Sequence, residues 1–488
     1  MATGTAQQMF VNGDWRPSAS GETFEATSPA TGELIGTVPL GGRDDARLAI
    51  AAARNAADGW ARLTAFERAA KMTAVGDLIE SRREALARTL TLDQGKPLRA
   101  EAYDEVDELV EYWRMAAEDA KRLGGELPNS FSPGKRVMLV RRPRGVVGVI
   151  SPWNWPYTMP AELIAPALAC GNSVVWTPAP STAVCAVALA ECIADADLPP
   201  GTFNLVTGPG PVVGDEIARN PGTDGIAFIG STATGRLVAQ AAAGKAALLE
   251  MGGNGPLVVL DDADLEAAAD ATLTACYLCA GQSCTAGERI LVHRAVLDEF
   301  VALLARRVTE RILLGDPFDD STTMGPVNNE PVAEKMDEHV SDALERGASI
   351  VTGGARASDF ATPLYWEPTV LTGVPADARI AVEETFGPVA PVVSIDSLRQ
   401  AIDLTNASPY GLLAAIFTAD LSSGLEFADR VRTGWVNINE SSNYWEAHLP
   451  FGGRAGTDSG IGRVGGSHVM QSFTELQTVV LTPDRRRR

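Results

Sequence analysis

Histidine is nearly missing from this 488-residue sequence: there are four, His293, His339, His448 and His468. Cysteine is little commoner, with six at positions 170, 185, 192, 276, 279 and 284. Cys276 and Cys279 form one C-x-x-C, but a zinc site needs a second pair of ligands, so no metal is expected. The six cysteines fall in helical patterns and one loop, which suits reduced thiols better than a disulfide framework. No apolar run approaches the roughly 20 residues that span a bilayer. The opening Met1-Ala-Thr-Gly-Thr-Ala-Gln-Gln8 has neither the basic start nor the apolar centre of a secretory signal, so a cytoplasmic protein without a membrane partner is expected. Basic residues are also in deficit. The 41 Lys and Arg against 62 Asp and Glu leave a net charge of −21, which repels phosphate backbones and argues against a nucleic-acid partner. The final 485–488, four arginines, reads as a solvated tail after Pro483. No repeat of fixed period is present.

What is there suffices for about three structural units at roughly 150 residues each. The 45% hydrophobic and 21% charged content is that of an ordinary globular protein. Over 44–122, Ala-rich segments place apolar residues at three and four spacing, such as Leu48, Ala52 and Ala56. That spacing predicts helices, expected to cover a sheet rather than carry chemistry. In 124–145 the turn residues Pro128, Pro133 and Gly134 precede the apolar Val137-Met-Leu-Val140, an exposed strand that needs a partner. Then strands and helices alternate: strands at 146–150, 173–176, 203–206 and 225–229, helices at 160–169 and 181–194. Such alternation predicts a parallel sheet flanked by helices, its strands buried on both faces. A second series runs from a strand at 257–260, through a helix at 265–279, to a strand at 435–438. A glycine-rich loop at 452–466 and a closing strand at 473–481 follow.

Six stretches could carry chemistry. Cys284 lies among small residues after the second helical series, with Gly281 and Gly287 permitting an unusual backbone; a core cysteine is the bland alternative. Ser151-Pro-Trp-Asn-Trp-Pro156 follows the carboxyl end of a parallel strand, where open sheets bind ligands, and Asn154 offers amide donors for an oxyanion or simply a turn. Gly230-Ser-Thr-Ala-Thr-Gly235 opens a helix whose free N–H groups suit phosphate, or an ordinary cap. Gly208-Pro-Gly-Pro-Val-Val-Gly214 is one residue too long for a dinucleotide fingerprint. Glu250 ends an apolar run, which suits a general base with a raised pKa or an ion-paired strand end. Glu384 and Phe386 could hold a ribose and a flat heterocycle, or occupy a plain loop.

The order of Pro152-Trp-Asn154, Gly230-Ser-Thr232, Glu250-Met-Gly-Gly253, Gly281-Gln-Ser-Cys284, Glu384-Thr-Phe-Gly-Pro388 and Pro450-Phe-Gly-Gly453 resembles the aldehyde dehydrogenase superfamily over nearly the whole chain. The resemblance implies an α/β protein with a Rossmann-type cofactor domain (1–123 with 146–252), an α/β catalytic domain (253–453) and a small β oligomerisation element (124–145 with 467–488). It implies oxidation of a small-molecule aldehyde to the acid with NAD or NADP, in a homodimer or homotetramer. Cys284 matches the nucleophile, Asn154 the oxyanion donor with the Cys284 N–H, and Glu250 the base that activates water on the thioester. By the same match Ile150, Ser151, Trp153, Thr177, Pro180, Gly230, Ser231, Glu384 and Phe386 belong to the cofactor site.

Departures from the family pattern accompany the match. Thr177-Pro-Ala-Pro180 lacks the lysine and glutamate that often meet the adenosine ribose, leaving NAD and NADP both open. Asn254 replaces a lysine, and Val464 replaces a second glutamate proposed to relay protons. Trp155, Tyr157, Met159, Glu162, Ser283, Thr285, Trp445 and His448 are the expected substrate residues. Their aromatic walls point to a small apolar or aromatic aldehyde, while Glu162, Glu446 or His448 inside the tunnel would favour polar or cationic groups. No arginine is obvious there to pair a carboxylate, which disfavours semialdehyde acids. Two alternatives stand beside this reading. An acylating enzyme passing the thioester to coenzyme A is opposed by Glu250; an inactive binding or structural protein is opposed by the joint presence of Cys284, Asn154 and Glu250. A cysteine protease would need a histidine beside Cys284, and no arrangement in the sequence suggests one.

Overall fold

The computed structural model describes residues 5–482, and the basic tail at 485–488 lies outside them. Two large sheets organise the chain. At the centre of the eight-stranded sheet, Val146–Ile150 runs parallel to Ser173–Thr177 on one side and Gly225–Ile229 on the other, all three buried throughout. Their valines and isoleucines on both faces are what a sheet covered twice selects. From the central strand the chain steps outward to Ser173–Thr177 and Phe203–Leu205. It then returns to lay Gly225–Ile229 and Ala246–Glu250 on the opposite side. That reversal opens a crevice at the carboxyl ends of Val146–Ile150 and Gly225–Ile229, the place where open α/β sheets bind ligands. The loops leaving those two strands carry Asn154 and Ser231. Short antiparallel strands, Met9–Val11 with Asp14–Arg16 and Gly460–Ile461, extend the two edges. Strands of two or three residues leave no periodicity to read in a sequence.

The seven-stranded sheet has Pro256–Val259 between Arg289–His293 and Leu413–Phe417, again parallel and almost wholly buried. The exposed strand finds its partner within the chain. Arg136–Pro143 pairs antiparallel with Thr474–Leu481 along the full length of both, as a two-stranded ribbon.

Arg43–Arg62, Ala65–Ser81, Arg83–Gln94 and Tyr103–Arg122 form the anticipated helical layer. At the start of Ala65–Ser81 the Thr64 hydroxyl accepts from the Glu67 N–H (3.2 Å) and the Glu67 carboxylate accepts from the Thr64 N–H (2.7 Å), a reciprocal cap. Trp60, Trp113 and Trp176 are fully buried in the core that joins this layer to the first sheet. Between Gln94 and Tyr103 the chain makes a π-turn, Leu98–Ala102, a geometry that recurs at functional sites and here buries Glu101.

The helix Leu265–Tyr277 ends two residues before the predicted 279, because Cys279, Ala280 and Gly281 take φ of 54°, 52° and 71°. Left-handed backbone costs roughly 1–2 kcal/mol for each of the two non-glycine residues. At Gly281 a β-carbon would stand 2.1 Å from the Gly387 carbonyl, so only glycine fits. This turn throws the Cys284 loop back toward Asn154. Among the described residues, no helix is long and apolar enough to cross a membrane.

Candidate active site

Cys284 sits half-buried where two cavities meet. One, about 340 Å³, is bounded by Trp155, Ser283, Thr285, Trp445 and the helical layer. The other, about 160 Å³, is bounded by Trp153, Gly230, Ser231, Glu250, Glu384 and Phe386. Asn154, Met159 and Cys284 line both, so a molecule in either cavity reaches the same sulfur.

Backbone and side-chain contacts hold the sulfur in place. Cys279 donates its N–H to Glu101 (3.0 Å) and its thiol to the Asn154 carbonyl (3.5 Å), and Asn154 Nδ2 donates to the Gln282 carbonyl (3.0 Å). These bonds tie the Asn154 loop to the Cys284 loop. One N–H of the Asn154 amide is left over, and the Cys284 N–H donates to no protein acceptor among the described residues. The Ser283 and Thr285 hydroxyls lie 2.7 Å apart and both stand within hydrogen-bond reach of Asn443 Oδ1, so their two protons serve two of these three contacts at a time, while Asn443 Nδ2 donates to the Thr274 carbonyl (2.7 Å). Asn443 thus braces the nucleophile loop from a distant part of the chain.

Glu250 faces Cys284 from the end of its strand. Burial pushes its carboxyl up to about 8, opposed by the Cys284 thiol and reinforced by Glu384. Burial and then the Glu250 carboxylate drive the Cys284 thiol well above its usual range, so the thiol rests protonated and gives up its proton only to the ionised form of Glu250. Glu250 Oε1 is buried without a hydrogen-bond partner, ready to accept one. A carboxyl near 8 beside a thiol is the pairing general-base chemistry at neutral pH requires.

On the far side of Glu250, Glu384 accepts the Gly253 N–H (2.7 Å). Phe386 is held at φ 64° because Glu288 accepts both its N–H (2.8 Å) and that of Thr385 (2.7 Å). A strained bulky residue persists where its surroundings over-determine it, and a buried carboxylate supplies that here. Trp153 packs edge-on against Phe386 (centroids 5.6 Å apart, 83°), and Lys335 Nζ lies 5.9 Å from the Phe386 ring. Ser231 caps the helix Thr232–Ala241, accepting from the Thr234 N–H (3.4 Å). The cavity fits the nicotinamide half of NAD or NADP: an aromatic wall, a carboxylate for hydroxyls and a helix N-terminus for phosphate.

Other predicted residues stand elsewhere. Ser151 accepts from Trp176 Nε1 (2.8 Å), an internal brace. Ile150 and Thr177 pair across adjacent strands beside Gly214, and Pro180 is exposed, all apart from the two cavities. Tyr157 is fully buried and donates to the Leu86 carbonyl (3.1 Å) rather than facing the cavity. His448 is exposed beside Glu446, and Glu162 is buried behind Met159 on a different cavity.

The helical layer, expected to cover a sheet rather than carry chemistry, also reaches the site. Lys96, Glu101, Asp104, Glu105 and Glu108 from that layer line the larger cavity. Lys96 Nζ donates to Glu105 (2.6 Å) and lies 3.8 Å from the Trp155 ring centroid, while Glu101 Oε2 has no partner. Helical spacing reports which face is apolar, and these polar residues stand before, within and after a π-turn that interrupts it. Among the described residues no cluster could hold a metal ion.

The sequence model of the aldehyde dehydrogenase family matches residues 15–479. The chain is 38% identical over 476 residues to the succinate-semialdehyde dehydrogenase [NADP(+)] of Escherichia coli (strain K12), covering 96% of this chain and 97% of that protein. It is 38% identical to the betaine aldehyde dehydrogenase of Bacillus subtilis (strain 168), covering 97% of each. It superposes on the crystal structure of an NAD-dependent aldehyde dehydrogenase from Sinorhizobium meliloti with a TM-score of 0.95 at 36% identity, over 98% of this chain and 95% of that one.

Proposed function

The chain belongs to the aldehyde dehydrogenase family and oxidises an aldehyde with NAD or NADP, and from that premise we propose which of its residues do the work and which aldehyde they accept. Cys284 Sγ attacks the aldehyde carbon while its proton passes to Glu250, forming a thiohemiacetal. The developing oxyanion is met by the remaining Asn154 N–H and the Cys284 N–H, donors typically worth about 3 kcal/mol each when pre-aimed. When bound, the nicotinamide ring supplies the acceptor for the hydride that leaves the thiohemiacetal carbon. Glu384, Phe386 and Ser231 hold it against Cys284. The thioester that remains is hydrolysed by water, whose proton goes to Glu250 and from there to the departing Cys284 thiolate. A base buried at the thioester favours water over coenzyme A as acceptor.

The aldehyde is small and polar, with a neutral or cationic tail. The observation that carries this is the charge of the 340 Å³ cavity: its lining holds four carboxylates and one lysine, and Glu105 engages that lysine at 2.6 Å. Burial pushes Glu101 and Glu108 up to about 7, so the wall gains negative charge as pH rises through neutrality. A carboxylate tail meets repulsion there; an ammonium tail meets the unpartnered Glu101 Oε2, and Trp155 and Trp445 pack its methylenes. The relatives named for semialdehyde acids and for betaine aldehyde share a polar substrate but differ in its sign, and this wall sides with the cation. The exposed Leu476, Val480 and Leu481 of the two-stranded ribbon support its role in a homodimer or homotetramer.

The test is an aldehyde panel (propionaldehyde, benzaldehyde, succinate semialdehyde, 4-aminobutyraldehyde and betaine aldehyde) with NAD and NADP side by side. We expect kcat/KM for the cationic aldehydes to exceed that for succinate semialdehyde by about tenfold or more at pH 8, the gap shrinking in high salt. A preference for succinate semialdehyde would sink the assignment of the wall.

A further inference from the structure

Every turnover passes two protons to Glu250, one from the Cys284 thiol and one from the attacking water; the departing Cys284 thiolate takes one back, the product acid releases the second proton of water itself, and Glu250 is left with one proton to export. Glu250 is 4% exposed and cannot hand it to solvent directly. The one of the two cavities that Glu250 lines holds the cofactor during the reaction, and the other, which meets it at Cys284, holds the aldehyde. A third polar route lies behind the site. Glu162 projects from the helix Thr158–Ala169, is 2% exposed, and leaves Oε2 without a partner; the Tyr112 hydroxyl, 5% exposed, is also unpartnered. Glu108, Tyr112 and Asp119 recur at four and seven positions on one face of the helix Tyr103–Arg122. That face packs against the helix of Glu162. Tyr112 and Glu162 line a small cavity of about 20 Å³, with Asp119 at its partly exposed end. Such a space admits about one water.

We propose that Glu162, Tyr112 and a water in that cavity form a rear proton path carrying protons from Glu250 to solvent beside Asp119. The groups that face Glu162 are Glu250 from its strand and Glu108 and Tyr112 from the helical layer. Burial, then Glu250 and Glu108, hold the Glu162 carboxyl well above its usual range, so it rests protonated. A protonated carboxyl takes a proton on its free oxygen while releasing its own from the other, so no net charge is left inside. The proton leaves Glu250 for Glu162, and the Glu162 proton leaves through Tyr112 or the water; nothing is oxidised or reduced. Val464, 1% exposed, offers no proton site nearby. This path rests on Glu250 acting as the acceptor.

Glu162→Gln removes the acid and keeps the shape; Tyr112→Phe removes only the hydroxyl. Both would be compared with the wild type in pre-steady-state and steady-state assays with betaine aldehyde, in H2O and D2O, and by thermal melting. Expected is an NADH or NADPH burst of full amplitude followed by a steady-state rate lowered about tenfold or more, with a larger solvent isotope effect and an unchanged melting temperature. Two results would overturn the path: steady-state rates and isotope effects equal to the wild type in both variants, or burst amplitude lost in proportion to the rate, which marks a structural role. If wild-type protein itself shows no burst, the assignment of Cys284 and Glu250 fails instead, so the two failures are distinguishable.

Discussion

The two cavities that meet at Cys284 share three lining residues but are assembled differently. The side proposed for the cofactor is made by loops leaving the carboxyl ends of parallel strands, so its groups come in short contiguous runs: Gly230-Ser231, Glu250 to Gly252, Glu384 to Phe386. The substrate side takes its charged wall from a π-turn and one helix more than 170 residues away from Cys284 in sequence, and its brace, Asn443, from about 160 residues on the other side. The nicotinamide half is common to NAD and NADP, and a sheet edge presents it with one fixed set of N–H groups and carboxylates. An aldehyde's tail varies, and the wall that reads it is set on elements that can change without disturbing the sheet.

The comparison is broken most severely at the sulfur. Cys284→Ala is expected to lower turnover by at least about 10⁴-fold with every aldehyde, while cofactor binding, followed by fluorescence titration, stays near wild type. Loss of cofactor binding would mean that the two cavities do not act separately.

Next comes the base. Glu250→Gln is expected to slow the burst of reduced cofactor, because Glu250 also takes the Cys284 proton, and to lower the steady-state rate further, about 10²- to 10³-fold. Because burial raises Glu250 to about 8, its basic form appears only as pH rises through that value, and wild-type deacylation climbs between pH 7 and 9. The Gln variant loses that climb; a pH profile shared by both proteins would remove Glu250 from the step.

The smallest effect sharpens the contrast. Glu101→Gln takes one charge from the substrate wall, and we expect kcat/KM for betaine aldehyde to fall about three- to tenfold with propionaldehyde and cofactor KM unchanged. An equal loss with both aldehydes would show that Glu101 works only as the brace of Cys279.

The strands at 146–150, 173–177 and 225–229 were legible because residues buried on both faces form unbroken apolar runs. Cys284 and Glu250 could be named because a thiol among glycines and a carboxylate ending an apolar run are chemically conspicuous. Lys96, Glu101, Glu288, Lys335 and Asn443 were not, since each is an ordinary polar residue until the fold places it beside the site. Tyr157, read as a substrate wall from its place near Asn154, turned inward because its hydroxyl finds the Leu86 carbonyl.

By itself the sequence determined the α/β class, the order of the elements and the chemical types at the reacting centre, because periodicity and short motifs are local properties of a chain. Tertiary structure alone decided that Cys284 joins two cavities, that Glu250 rests near 8, and that the wall of the larger of the two is acidic. Those depend on burial and on charges brought together from distant segments, and neither is written in any one stretch.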